Sequence, residues 1–348
     1  MNKILITGAS GYIGSHICLI LLERGYEIIA IDSLKNSSSK SLERVLELLN
    51  KKEKKYKIKF LKGDLRDKCF IRSIFEDEYN SKESIAAVIH LAALKSVPES
   101  IRYPLHYWEN NVIGSMNLVE SMEDFNCRTI VFSSSATVYE GSDSLLKENH
   151  KINPSNPYAT TKVVVEQLLM DFYLSTKKSW NVINLRYFNP IGAHISGMIG
   201  EDPKASETNI FPIITAVASG KKKYIEIFGK DWATPDGTCI RDYIHVMDLA
   251  EGHLLALEKL LKNSKQFLNI NLGTGSGVSV LELISTFEKV NSISIPFVFS
   301  KRRSGDQAIT VADNNLAIDL LHWKPKRTLA DMCLDGWRWQ TLNPNGYQ

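Results

Sequence analysis

Three glycines spaced three residues apart follow the first apolar stretch of the chain, as Gly8, Gly11 and Gly14. The stretch before them, Lys3–Thr7, is rich in aliphatic residues and predicts a strand, and a helical pattern follows the glycines. Glycines at such a turn permit a tight bend and let backbone N–H groups at the helix N-terminus approach a pyrophosphate. The motif therefore predicts a dinucleotide-binding strand–turn–helix unit.

A carboxylate stands at the end of the second predicted strand, where Asp32 lies 18 residues after Gly14. At this position a carboxylate accepts a hydrogen bond from a ribose 2′-hydroxyl and repels a 2′-phosphate, which favours NAD over NADP. A second glycine-rich stretch, residues 273–277, lies far from the chain start and lacks an acidic partner. We interpret that stretch as a structural turn.

Strand-like and helix-like stretches alternate through the first 190 residues, with strands predicted at residues 3–7, 27–31, 57–61, 86–90, 129–132 and 180–186. Such alternation predicts an α/β fold with a doubly wound parallel (Rossmann-type) sheet and helices on both faces. We predict an NAD-binding domain over residues 1–188, with residues 241–257 returning to it, and a smaller domain over residues 189–348. Ligands bind beyond the carboxyl ends of the strands in such sheets.

Composition and charge exclude several classes of protein. The 42 Lys and Arg residues against 39 Asp and Glu give a net charge of +3, which argues against a dedicated nucleic-acid or membrane surface. No apolar run approaches the ~18 residues of a membrane span. The five cysteines are odd in number and show no CxxC spacing, so neither a disulfide framework nor a zinc site is indicated. We expect a cytoplasmic protein that uses no metal.

A tyrosine and a lysine four residues apart, Tyr158 and Lys162, fall on one face of a predicted helix. Asn156 can cap this helix and Pro157 suits its first turn, so Tyr158 is expected near the positive N-terminal end. A second match of the same spacing begins at Tyr173, ~22 Å further along the helix. We interpret Tyr173 as a packing residue.

Tyr158 is a candidate general base. A phenol with a pKa near 10 needs a drop of ~3 units to act at pH 7, and one nearby cation supplies ~1–3 units. Lys162 therefore needs help from the positive nicotinamide ring of NAD and from the helix end. Ser135, at the end of the fifth predicted strand, can donate a hydrogen bond to the reacting oxygen. The glycine motif predicts the NAD whose positive ring Tyr158 needs to act as a base, so the two predictions support each other.

The motifs along the chain resemble those of the extended short-chain dehydrogenase/reductase family and, within it, the UDP-galactose 4-epimerases. In order they are TGASGYIGSH, IDSLKNSS, GDLRD, SSSATVY, YATTK, LRYFNPIGAH, GEDP, RDYIHVMDLA and RRSGD, and they cover nearly the whole chain. The resemblance implies a homodimeric enzyme that interconverts UDP-galactose and UDP-glucose with tightly bound NAD. A 4-keto sugar would form, turn about its diphosphate and be reduced on its other face.

The resemblance also assigns roles to individual positions. The expected catalytic residues are Tyr158, Lys162 and Ser135. The expected NAD-binding residues are these three together with Gly8, Gly11, Tyr12, Ile13, Gly14, Asp32, Ser33, Leu34, Lys35, Asn36, Ser37, Asp64, Leu65, Leu91, Ala92, Ala93, Leu94, Lys95, Asn110 and Phe188. The expected UDP-sugar-binding residues are Ser135, Tyr158, Asn189, Asn209, Ile210, Glu226, Ile227, Phe228, Arg241, Arg303, Asp306 and Thr310.

Three alternatives to UDP-galactose epimerisation stay open. Family members that eliminate water carry Asp-Glu after the strand-end serine or threonine, where this chain has Ala136 and Thr137, so a dehydratase is disfavoured. A UDP-glucuronate 4-epimerase shares the chemistry. A non-catalytic NAD-binding regulator is disfavoured because the serine, tyrosine and lysine are all present. Some family members carry a bulky tyrosine at the position of Thr310, and threonine is expected to leave room for an N-acetylhexosamine.

Overall fold

The computed structural model describes residues 2–50, 56–141, 144–175, 179–204, 209–262, 265–303 and 305–348. The strands in these ranges are β1 (Lys3–Thr7), β2 (Glu27–Asp32), β3 (Ile58–Lys62), β4 (Ile85–His90), β5 (Thr129–Ser135), β6 (Asn181–Tyr187), β7 (Asn189–Ile191), β8 (Ile225–Phe228), β9 (Ile240–Arg241), β10 (Tyr243–His245), β11 (Gln266–Leu272), β12 (Val278–Ser279), β13 (Phe297–Ser300) and β14 (Ile309–Thr310). All six strands predicted from the sequence are present.

The α-helices of the same ranges are α1 (Tyr12–Arg24), α2 (Lys40–Asn50), α3 (Lys68–Asn80), α4 (Val97–Arg102), α5 (Pro104–Tyr107), α6 (Gly114–Asp124), α7 (Pro157–Ser175), α8 (Ile210–Ala218), α9 (Val246–Lys262), α10 (Val280–Asn291), α11 (Asn315–Leu321) and α12 (Leu329–Leu342). A π-helical turn, Trp108–Ile113, joins α5 to α6. No helix in these ranges combines the length and apolar character needed to cross a membrane.

Seven parallel strands form the central sheet in the order β3-β2-β1-β4-β5-β6-β11. Alternate residues of each strand pack on opposite faces, because side chains along a strand alternate in direction. Ile4 and Ile6 pack in the cluster that includes α1 and α9, whereas Leu5 packs in the cluster that includes α3, α6 and α7. The predicted doubly wound α/β fold is confirmed.

The chain returns to the central sheet after the first strands of the second lobe. Helix α9 packs against α1. Strand β11 then pairs with β6 over its full length. Polar Asn269 and Asn271 interrupt the apolar residues of β11, so periodicity did not identify this edge strand.

The second lobe has its own apolar core. Residues of α8, β8, α10 and α12 pack together there, with Phe211 and Phe287 in edge-to-face contact at 6.0 Å. Three short strands, in the order β12-β9-β14, place Arg241 beside Thr310. The parallel pair β8–β13 lies at the surface of the same lobe. The division into two domains stays a prediction.

Candidate active site

The glycine turn closes tightly between β1 and α1. Gly8 has a φ of +69°, and a Cβ at Gly14 would lie 2.2 Å from the backbone oxygen of Gly8. Gly11 precedes the first residue of α1 in extended conformation. No side chain fits at Gly14, so the helix N-terminus sits directly on the turn and its N–H groups are available to an anion.

Asp32 organises the loop that follows β2. Its buried carboxylate accepts hydrogen bonds from the backbone N–H groups of Ser10 at 3.0 Å and Leu34 at 2.9 Å, and from the Ser37 hydroxyl at 2.7 Å. The carboxylate therefore joins the glycine turn to residues 33–37. Asp32, the residue predicted to bind the NAD ribose, therefore lies beside the glycine turn that is predicted to bind the pyrophosphate.

Asp64, expected near the adenine, is held by two cations. Its carboxylate accepts from Arg66 at 2.8 Å and from Lys35 at 2.8 Å. The Arg66 guanidinium, with Lys35, holds the pKa of this carboxyl well below its usual range. Leu65 beside it is buried. Arg66, the fourth residue of the GDLRD motif, is a partner that the motif alone did not predict.

The loop after β4 is fixed by side chains from β1 and from the π-helical turn. The backbone N–H groups of Leu91 and Ala92 donate to Thr7 Oγ1 at 3.1 and 3.2 Å. Leu94 N donates to Asn111 Oδ1 at 2.8 Å, and Asn111 Nδ2 donates to the Leu94 oxygen. The sequence did not indicate Asn111, whose buried side-chain amide makes these contacts. Asn110, which is predicted to bind the cofactor, is the residue before it.

Tyr158 lies in the first turn of α7, as predicted. Pro157 is the first residue of the helix, and Asn156 Oδ1 accepts from the Ala159 N–H at 2.9 Å. Tyr173, on the same helix, packs on Phe267 with ring centroids 5.6 Å apart, as expected for a packing residue. The lysine that would complete the second Tyr-x-x-x-Lys match lies outside the described residues.

Lys162 is buried beneath the tyrosine. Its Nζ donates to the backbone oxygen of Ser133 at 2.7 Å and lies 5.9 Å from the centroid of the Tyr158 ring. Burial lowers the pKa of Lys162 to about 7, against a smaller opposing effect from Glu166. Burial thus favours the neutral amine of Lys162 more than water does.

This lowered pKa makes the stability of NAD-free protein depend on pH. Unfolded Lys162 keeps its proton to about pH 10.4 but folded Lys162 only to about 7, so the unfolded chain binds more protons between these values. As pH rises from 7 to 9, the parent should gain unfolding free energy relative to Lys162→Met, by at most about 1.4 kcal/mol per pH unit. Urea unfolding measures the difference; a constant difference would contradict the assignment. The control Lys68→Met, at an exposed site, should show no such trend.

Three influences act on the Tyr158 hydroxyl. Burial raises its pKa, and a hydrogen bond with Ser135 and the charge of Lys95 act to lower it. Burial dominates, so the phenol holds its proton in the protein alone. A further positive charge beside the ring is needed before Tyr158 can act as a base at neutral pH.

Ser135 ends β5 and carries a local hydrogen-bond network. Its Oγ accepts from the Thr137 hydroxyl at 2.9 Å and from the Thr137 N–H at 3.2 Å, while Ala136 is buried among apolar residues. These two positions supply no carboxyl group. The geometry therefore agrees with the argument against elimination of water.

A buried ion pair supports the floor of the site. Arg186 Nη2 donates to Glu166 Oε2 at 2.6 Å, and Ser134 Oγ donates to the same carboxylate. Glu166 stands one helical turn after Lys162. The sequence did not indicate this pair because its members lie 20 residues apart on two different elements, α7 and β6, whose packing the sequence pattern does not specify. Buried charges need such partners.

The predicted diphosphate ligands meet in the second lobe. Arg303 Nε donates to Asp306 Oδ2 at 3.0 Å, and Arg241 Nη2 lies 3.9 Å from Asp306 Oδ1. Arg303 also lies over the Phe228 ring, 4.6 Å from its centroid. Two guanidinium groups, a carboxylate and an aromatic face thus share one small region. Guanidinium groups suit phosphate oxygens through their fixed fork of donors.

The other predicted substrate residues lie on several elements of the second lobe. Thr310 faces Arg241 across the β14–β9 pair, and its hydroxyl lies 3.4 Å from Gln307 Oε1. Asn189 follows the buried Phe188 at the end of β6 and donates its N–H to the Asp242 oxygen. The remaining predicted residues lie at the start of α8 and on β8, and they are Asn209, Ile210, Glu226 and Ile227.

The glycine-rich stretch at residues 273–277 is a structural turn, as the sequence analysis interpreted it. The backbone N–H groups of Thr274 and Gly275 donate to the buried carboxylate of Asp242 at 2.7 and 2.9 Å. A Cβ at Gly273 would lie 2.6 Å from that carboxylate. The turn therefore binds Asp242 rather than an external anion.

Together, the doubly wound sheet, the glycine turn with Asp32 and the Tyr158–Lys162 helix define a dinucleotide-dependent enzyme of the short-chain dehydrogenase/reductase class. The family described as GDP-mannose 4,6 dehydratase matches residues 5–335. The UDP-glucose 4-epimerase of Bacillus subtilis is 48% identical over 346 residues, covering 99% of this chain and 98% of that protein. The UDP-glucose 4-epimerase of Yersinia enterocolitica is 48% identical over 347 residues, covering 99% of each.

Solved structures agree. The UDP-glucose 4-epimerase from Stenotrophomonas maltophila, with bound NAD and formylated UDP-arabinopyranose, aligns with a TM-score of 0.92 and 41% identity over 99% of both chains. The enzyme from Bifidobacterium longum, in complex with NAD+ and UDP, gives 0.91 and 40%, covering 99% of this chain and 100% of that chain. The chain belongs to the UDP-glucose 4-epimerase family.

Proposed function

We propose that this chain interconverts UDP-galactose and UDP-glucose by transient oxidation at C4 of the sugar, with NAD as its bound cofactor. The observation that carries the proposal is the placement of Tyr158, Lys162 and Ser135 together, at the same sheet edge as the glycine turn. The turn has no side chain to obstruct a pyrophosphate, and Asp32 stands beside it, so the residues present fit NAD. Bound NAD would supply the hydride acceptor and donor for C4 and a positive charge near Tyr158.

The protein residues move one proton and fix one oxygen. Tyr158 takes the proton of the C4 hydroxyl and later returns it, while Ser135 donates a hydrogen bond to the same oxygen. The charge of Lys95 acts to lower the pKa of the Tyr158 hydroxyl, and Lys162 Nζ lies 5.9 Å from the centroid of the same ring. The sugar turns between the two half-reactions, so its diphosphate must stay bound. Arg241 and Arg303 are the residues that hold it.

The remaining predicted residues line the two ligands. Residues 33–37, Asp64 and Leu65 bind the adenosine end of NAD, and the loop after β4 with Asn110 and Phe188 approaches the nicotinamide end. Phe228 and its neighbours on β8 hold the uracil, and Asp306 contacts the uridine ribose. The contacts of these residues with one another support this division into a cofactor side and a substrate side.

The experiment is a product assay on purified protein with UDP-galactose and no added NAD. Conversion to UDP-glucose is expected, because NAD that stays bound supports repeated turnover. A second arm with added NAD separates loss of cofactor during purification from lack of activity. Absence of product in both arms would contradict the proposal, and turnover of UDP-glucuronate alone would reassign the substrate.

We further propose that the sugar pocket accepts UDP-N-acetylgalactosamine. Thr310 is small and lies beside Arg241, so it leaves space for the acetamido group. We expect Thr310→Tyr to lower turnover of UDP-N-acetylgalactosamine by at least about 10-fold, since overfilling a packed pocket is costly, with UDP-galactose turnover little changed. Thr310→Ser, as the control, should retain both activities. Equal loss of both activities in Thr310→Tyr would contradict the pocket assignment.

We also propose that two copies of the chain associate through α4, α5 and the π-helical turn. Large apolar side chains are exposed along this stretch, a pattern typical of protein interfaces. They are Ile101, Tyr103, Leu105, Trp108 and Ile113, and Met116 continues the patch into the first turn of α6. We expect Leu105→Glu to shift the mass in light scattering from a dimer to the 39.3 kDa monomer. Ile195→Glu, at a similarly exposed site elsewhere, should leave the dimer intact. A dimeric Leu105→Glu would contradict this interface.

A cytoplasmic location is proposed as well. Cys18, Cys69, Cys127, Cys239 and Cys333 are all free thiols in the structure. The cytosol keeps such thiols reduced. Fractionation of cells that express the protein tests this placement.

A further inference from the structure

A short segment of the second lobe, residues 200–204, touches the first lobe at two places. Lys95 Nζ donates to Glu201 Oε1 at 3.0 Å, and Lys204 Nζ donates to the backbone oxygen of Ser37. Lys95 follows β4, and Ser37 follows β2. Because β4 and β2 lie on opposite sides of β1 in the sheet, the segment reaches across the glycine turn that follows β1.

The segment is held from behind by the C-terminal part of the chain. Trp339 Nε1 donates to the Glu201 oxygen at 2.9 Å, and the Gly200 N–H donates to the Tyr347 hydroxyl at 3.0 Å. Tyr347 N donates to Asp202 Oδ2 at 3.0 Å. A Cβ at Gly200 would lie 2.3 Å from the Trp339 ring, so the backbone is packed closely there. The side chains of the segment are therefore presented from an ordered support, which lowers the entropy cost of their contacts.

The two contacts of the segment with the first lobe, Lys95–Glu201 and Lys204–Ser37, can break and re-form. Glu201 is mostly buried, whereas Lys95 is half exposed, and Lys204 is exposed. Both contacts are made by flexible lysine side chains that solvent can reach, so either can break without unpacking a core. A third contact between the lobes, from the Tyr12 hydroxyl to the Gly192 oxygen at 2.6 Å, lies beside the same turn.

The proposed reaction requires that NAD stay bound while the sugar turns. Its net redox change is zero, so NAD that left after the first half-reaction would leave a 4-keto sugar unreduced. We propose that residues 200–204 form a strap across the cofactor cleft, fastened by Glu201 and Lys204, that retains NAD through both half-reactions. This inference rests on the proposed function.

The test is the rate at which the holoenzyme releases NAD. Protein loaded with deuterium-labelled NAD is diluted into excess unlabelled NAD, and the label retained is followed by mass spectrometry. We expect Glu201→Ala and Lys204→Ala each to speed release by about fivefold, the size typical of a partly exposed charged contact. The double variant should release NAD about 25-fold faster if the contacts are independent.

Matched controls separate retention from general weakening of the protein. Glu258→Ala breaks the Arg24–Glu258 pair, which has similar exposure and joins α1 to α9 at 2.7 Å. Lys151→Ala removes an exposed lysine paired with Glu140. Both should release NAD at the parent rate. Glu201→Gln, which keeps the side-chain shape, repeats the test should Glu201→Ala unfold.

The outcomes distinguish the strap from the function on which it rests. A parent that holds NAD and a double variant that releases it no faster would contradict the strap alone. Equal acceleration in Glu258→Ala would contradict it too. A parent that binds no NAD after reconstitution would contradict the proposed function and the strap with it. Release that quickens with salt in the parent but not in the double variant would support the strap, because salt screens exposed ion pairs.

Discussion

Replacing Tyr158 with phenylalanine is expected to lower kcat for UDP-galactose by about 10³-fold while NAD stays bound, because a positioned general base typically contributes 10²–10⁴-fold. The phenyl ring keeps the packing of the first turn of α7, and only the hydroxyl is removed. Burial holds the phenol in its protonated form in the protein alone. The loss should therefore appear in kcat rather than in binding of UDP-galactose.

Tyr173→Phe is the matched control for this substitution, since Tyr173 lies on the same helix and contributes a packing contact. Its kcat should stay within about twofold of the parent, because the phenyl ring keeps the packing contact and the lost hydroxyl lies away from the site. Initial rates with saturating UDP-galactose measure both variants. Full turnover by Tyr158→Phe would remove the tyrosine from the mechanism.

Replacing Gly14 with alanine is expected to abolish retention of NAD. The new Cβ would lie 2.2 Å from the backbone oxygen of Gly8 and 2.9 Å from Ala9, and neither backbone atom can move aside without opening the turn. Opening the turn moves the N-terminus of α1 away from the pyrophosphate that its N–H groups bind. We expect the NAD content of the purified protein to fall at least about 10-fold, as binding energy is lost with those N–H contacts.

Gly25→Ala, at the other end of α1, separates this effect from general destabilisation. Gly25 has a φ of +96° but nothing within 4 Å of its Cβ position, so alanine there strains the backbone without a clash. Such strain costs on the order of 1 kcal/mol. NAD content, measured by absorbance after release, should match the parent in Gly25→Ala. Parental NAD content in Gly14→Ala would contradict the role of the turn.

The parts of the site that follow from local pattern were predictable from sequence. The turn at Gly8 and Gly14 needs small residues at fixed spacing, and Asn156 with Pro157 marks the start of the helix that carries Tyr158. These features depend on neighbours in the chain. Their positions at the carboxyl edge of the sheet then follow from the parallel topology.

The residues that support the site were not predictable in this way. Asn111 fixes the loop that follows β4, and Arg186 pairs with Glu166 behind Lys162, through contacts that depend on how different elements pack. No periodicity signals such a pair. The ion pair between Lys95 and Glu201 joins the two lobes, so its partners could be matched only once the fold had placed them together.

The most direct test of the mechanism follows the hydrogen at C4. UDP-galactose carrying deuterium at C4 is converted by the purified holoenzyme in ordinary water, and the product UDP-glucose is analysed by mass spectrometry and NMR. Transfer of this hydrogen out and back within a closed site predicts that deuterium stays at C4 of the product. Replacement of the deuterium by hydrogen from water would show proton exchange at C4 and would contradict transient oxidation.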